Sequence, residues 1–72
     1  MIAGGWAVVQ DGEINVRTVS PDRRGAIVNW LVAEAHRFVS AHDTDEEIED
    51  RWERDRGTAR VLQVAIIAER KQ

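Results

Sequence analysis

The chain has 72 residues, 43% hydrophobic and 32% charged, with a net charge of −3, three tryptophans and no cysteine. That length makes one domain over 1–72 that buries only about 60–65% of the surface its unfolded chain exposes, and the missing cysteine excludes a disulfide framework or a thiolate metal cluster. Residues 1–5 lack the basic start and apolar run of a signal peptide, and no stretch reaches the ~20 apolar residues of a membrane span. The expectation is therefore a soluble, cytoplasmic chain with no membrane partner.

Trp6 to Gln10 reads as a β-strand, Asp11-Gly12 as a two-residue hairpin turn, and Glu13 to Thr18 as the returning strand, alternating through Ile14 and Val16. Val19-Ser20-Pro21 stops that strand and predicts a helix, with Ser20 as its N-cap, Pro21 in its first turn and Asp22 adding favourable charge there. From Pro21 to about Ala41, Ile27, Leu31, Ala35 and Phe38 form one apolar arc, widened by Val28, Trp30, Val32 and Val39. Such an arc covers a sheet.

Thr44 followed by Glu47 has capping-box spacing, so a second helix starts there and ends near Gly57, a natural left-handed C-cap. This helix is strongly acidic. From Asp43 to Arg56 eight carboxylates and three arginines surround only Ile48 and Trp52, and residues 41–58 sum to −5 while the first forty residues balance. A field of that sign repels nucleic acid and attracts basic protein surfaces, over about 8–10 Å at physiological salt.

Ala59 to Ala68 is a final strand with Leu62, Val64 and Ile66 on one face and Val61, Ala65 and Ile67 on the other. An apolar second face implies a central position or a cover from outside, such as another copy of the chain, with Val61 and Ile67 turned towards it. The order β-β-α-α-β predicts an α+β fold, a three-stranded antiparallel sheet of order 2-1-3 covered by one long helix, with a short acidic second helix.

Catalytic equipment is sparse. Ser20 is accounted for as a cap and Ser40 as a polar-face residue, and there is no thiol. On a continuous helix His36 and His42 lie about 240° apart, too far for one metal ion. Gly4-Gly5 precedes a strand rather than linking a strand to a helix, so it is no phosphate cradle. The expectation is a non-enzymatic chain without metal or cofactor. Arg17, Arg23 and Arg24 cluster around the start of the first helix and are the nucleic-acid-binding candidates, but a pI near 5.3 weighs against direct nucleic-acid binding. Internal pairing of Arg23 and Arg24 with Asp22, Glu13 or the acidic helix is the alternative.

The Asp11-Gly12 hairpin, the run T-V-S-P-D-R-R from Thr18 to Arg24 leading into an apolar helix, and Arg56-Gly57 before a short strand resemble the layout of small proteins encoded by phages and prophages. The resemblance implies an inhibitor of host defence, of anti-CRISPR type, acting in the cytoplasm of a bacterial host by occupying a basic nucleic-acid channel in a host complex. It carries over no functional residue. From charge alone, the expected partner-binding set is Glu46, Glu49, Asp50 and Glu53, with Trp52 as an exposed anchor beside Ile48. A homodimer through the last strand is the alternative partner.

Overall fold

The computed structural model describes residues 2–67, as β1 (Ile2–Gln10), β2 (Glu13–Ser20), α1 (Arg23–Ala33), α2 (Asp45–Asp55) and β3 (Arg60–Ile67). The strands form one antiparallel sheet of order β2-β1-β3, and the fold is α+β with the expected element order. Ala68, the last residue of the expected strand, lies outside the described residues.

At the tip of the β1–β2 hairpin Asp11 has φ 53° and Gly12 φ 79°, the pair of positive angles that matches the twist of the flanking strands. The β1–β3 register runs unbroken from Ile2↔Ile67 to Val9↔Arg60. The β1–β2 register does not, since Val8 faces Asn15 while Trp6 faces Ser20, leaving only Ala7 opposite residues 16–19. Thr18 closes this bulge. Its buried hydroxyl accepts from the Val8 N–H at 2.8 Å and donates to the Asn15 carbonyl at 2.6 Å.

Ser20 pairs with Trp6 as the last residue of β2, so it cannot cap α1. Asp22 does so instead, its carboxylate accepting from the Gly25 N–H at 2.6 Å, and Pro21 lies before the helix. Nor does α1 run to Ala41. Both the Glu34 and Ala35 N–H groups return to the Trp30 carbonyl, His36 turns left-handed at φ 54°, and the Arg37 N–H reaches back to the Leu31 carbonyl. The two helices are thus of equal length, 11 residues each, and residues 34–44 are a connection.

The early stop changes the core. Ala26, Ile27, Trp30 and Leu31 are buried, and Ala35 and Val39 still pack against them, but Phe38 is 86% exposed and Val32 51%. α1 lies against all three strands. Among the described elements α2 has α1 as its backbone neighbour and no strand. Its Ile48 and Trp52 side chains nevertheless complete one cluster with Val8, Ile27, Trp30, Leu31 and Ala59. Among the described residues no helix is long and apolar enough to cross a membrane.

Candidate partner-binding surface

α2 begins as its sequence dictates. Thr44 is the N-cap and its hydroxyl accepts from the Glu47 N–H at 3.2 Å, while Asp45, Glu46 and Glu47 occupy the first turn, where the helix dipole favours negative charge. At the other end Arg56 is the C-cap and Gly57 follows with φ 57°. Ile48 and Trp52, one turn apart, form a stripe that is 1–2% exposed. Trp52 is therefore a core residue and not a partner-binding anchor. A helix with two apolar residues can be held only by burying both.

With about 100° of rotation per residue, Glu46, Asp50 and Glu53 fall within one narrow arc on the side away from Ile48 and Trp52. All three are exposed, and with Asp45 and Glu49 they line a shallow acidic depression. Glu49 lies on the flank facing α1, where Arg23 donates to it. Arg24 pairs with Asp45 on the same flank at 2.6 Å. Arg23 and Arg24 are thus occupied by the acidic helix rather than presented together with Arg17, which makes no ion pair with another described residue.

The opposite flank is tied to the 34–44 connection. Arg37 donates to both oxygens of Asp55, at 2.9 and 3.2 Å, and Arg51 donates to Asp43 at 2.8 Å. Hydrogen bonding from Arg51, and then from the Ser40 N–H, holds the Asp43 carboxyl below the usual carboxylate range, and Arg37 does the same for Asp55. Both guanidiniums are raised in turn by these carboxylates.

Arg23, Arg24 and Arg37 come from outside the segment, and their docking reduces its local −5 to −2. The local pairs along the helix, Arg51 with Glu47, Arg54 with Asp50 and the C-cap Arg56 with Glu53, are at least partly solvent-exposed and weak. Glu46 makes no ion pair with another described residue. The negative surface that remains is the narrow stripe of Glu46, Asp50 and Glu53, smaller than composition alone indicates. The pairing partners that shrink it come from α1 and the connection, and no spacing rule reveals them.

His36 and His42 both lie in the connection, and among the described residues no group of three or more histidines and carboxylates is gathered closely enough to hold a metal ion. No protein-family model, curated protein or solved structure matches the chain.

Proposed function

We propose that the chain is a non-enzymatic protein-binding module whose stripe of Glu46, Asp50 and Glu53 docks on a basic protein surface, as a phage-type inhibitor would block the nucleic-acid-binding face of a host complex such as a CRISPR effector in the bacterial cytoplasm. The observation that supports this is the stripe's rigid mounting. Its helix is held from behind by Ile48 and Trp52 and on both flanks by Arg23, Arg24 and Arg37, so the backbone that carries the acids is already ordered before binding. Acids in such an array act chiefly on association rate and partner choice. The internal engagement of Arg23 and Arg24 lowers the case for direct nucleic-acid binding.

The test is affinity capture from bacterial lysate at low and moderate salt, comparing the wild-type chain with the triple variant Glu46→Lys, Asp50→Lys, Glu53→Lys. The expected result is a nucleic-acid-binding protein complex retained by the wild type, released by added DNA and by salt, and absent from the variant. The same proteins on both baits would exclude this face.

A further inference from the structure

The helices cover one face of the sheet, the face of Val8 and its cross-strand partner Val61, which packs against the core. Val61 therefore does not face outward as expected from the strand pattern, and the Ile67 side chain lies outside what the structure describes. What β3 leaves open is its outer edge, since in the order β2-β1-β3 it is bonded to β1 alone. We infer that two copies of the chain join by antiparallel pairing of their β3 edges about a two-fold axis, making one continuous sheet with the helices of both copies on the same face.

Hydrogen-bond phase identifies the open groups. The Val8 N–H donates to Thr18 of β2, so Val8 points its main-chain groups towards β2, and by alternation Gly5, Ala7 and Val9 point theirs towards β3. Their partners there are Val64, Leu62 and Arg60. The intervening residues Val61, Gln63, Ala65 and Ile67 therefore present their N–H and C=O groups to the outer edge, where no other described strand or loop bonds them. This edge also lacks the usual protections against pairing. Over residues 61–67 there is no charge, no proline and no break in register, whereas β2, the other edge, is bulged and carries Glu13 and Arg17.

The shape of the sheet argues for a second copy as the occupant. β2 ends with Ser20 opposite Trp6, so residues 2–5 and 64–67 continue as an arm only two strands wide, and two strands alone are marginal in water. A second copy supplies the third strand to both arms at once. The antiparallel register that sets Val64 opposite Val64 of the other copy matches the whole open row, Val61 to Ile67 and Gln63 to Ala65 in both directions, each pair exchanging two main-chain hydrogen bonds. Residues 64–67 of each arm then lie along residues 61–64 of the other copy, of which 61–63 are backed by residues 6–8 in the three-stranded part of its sheet. β3 is already an ordered strand, so the copies are joined by main-chain hydrogen bonds without a folding cost. One strand pair is a small contact, and association is accordingly concentration-dependent.

The experiment is sedimentation equilibrium of the full chain from about 5 to about 500 μM, the range of weak, transient association. The wild-type mass should rise from 8.2 kDa towards twice that value, and should do so equally at high salt because the paired edge is uncharged. Ala65→Pro removes an outward N–H but no bond to β1, a substitution an edge strand tolerates, and should stay at 8.2 kDa with circular dichroism like the wild type. Val64→Lys and Val64→Glu test the register without proline. Each sets like charges directly opposite at the axis and should remain at 8.2 kDa alone, whereas an equimolar mixture of the two should gain mass as the wild type does. A wild-type chain that stays monomeric over the whole range overturns the proposal, whether or not a strand of another protein adds to this edge. So does a dimer that Val64→Lys and Val64→Glu each form alone as readily as the wild type. The Glu46, Asp50 and Glu53 variant should dimerise normally, which keeps this result separate from the fate of the acidic stripe.

Discussion

Trp30 of α1 and Trp52 of α2 meet edge to face, with ring centroids 5.2 Å apart and planes at 90°. The geometry sets the positive edge of one ring against the negative face of the other, and contributes about 0.5–1.5 kcal/mol beyond the burial of two large side chains. It is the joint of the helical layer. α2 offers only Ile48 besides Trp52 to the core, so the acidic helix stays folded through that joint and the ion pairs around it.

Trp52→Ala should accordingly destabilise the domain by about 3–5 kcal/mol, the usual cost of deleting a buried aromatic, and a domain of this size has little more to lose. Urea unfolding followed by far-ultraviolet circular dichroism measures it. Trp52→Phe keeps an aromatic contact and should lose less than half as much. If Trp52 were a surface anchor, both variants would unfold with the wild type.

The β1–β2 bulge makes a second demand on a single side chain. Thr18→Val keeps the shape but removes a hydroxyl that serves the buried Val8 N–H and the Asn15 carbonyl together, and leaving such groups unpaired costs about 1–3 kcal/mol. Thr18→Ser retains both bonds and should lie between wild type and Thr18→Val. Hydrogen exchange at the Val8 amide should quicken in Thr18→Val before exchange along the β1–β3 ladder does, because the bulge opens locally.

The elements whose punctuation is local were legible in the sequence. Asp11-Gly12 marked the hairpin, Thr44 the start of α2 and Gly57 its stop, and the element order β-β-α-α-β with its helical crossover implied the sheet order. What failed to show was decided by competition between distant groups. α1 ends at Ala33 without glycine or proline, and beyond it His36 takes a left-handed conformation as the Arg37 N–H turns back to the Leu31 carbonyl, so the apolar pattern runs on through Phe38 in sequence but not in space. For the same reason the acidic segment looked freer than it is. Its arginine partners lie up to 26 residues away, and burial of Trp52 follows from α2 docking on α1, which no periodicity within α2 specifies.

The pairing of Arg23 with Glu49 has its own signature. Both side chains are about two-fifths exposed, so a double-mutant cycle with Arg23→Ala and Glu49→Ala should give a coupling of about 0.2–1 kcal/mol that shrinks as salt is raised. Arg17→Ala, at an exposed residue with no ion pair among the described residues, should change stability by no more than about 0.5 kcal/mol. A nucleic-acid interface built from Arg17, Arg23 and Arg24 would reveal itself differently, as a salt-dependent affinity for duplex or single-stranded DNA lost in all three alanine variants while Glu49→Ala binds more tightly.

Acid should loosen the 34–44 connection first. Asp43 and Asp55 have their carboxyls held below the ordinary value of 3.8, chiefly by hydrogen bonds from Arg51 and Arg37 respectively. A carboxyl depressed in the folded state binds fewer protons than the unfolded chain does between the two values, so stability rises with pH across that window. The contribution is complete above the unfolded-state value and disappears as pH falls through the folded-state one. The urea midpoint should therefore be nearly flat from about pH 7 to pH 5 and decline below about pH 4. Asp43→Asn combined with Asp55→Asn should lower the neutral plateau and flatten the acid decline, because the groups that titrate there are gone while Arg37 and Arg51 keep their charge. An acid decline as steep in the double variant as in the wild type would show that these two carboxylates are not the ones responsible.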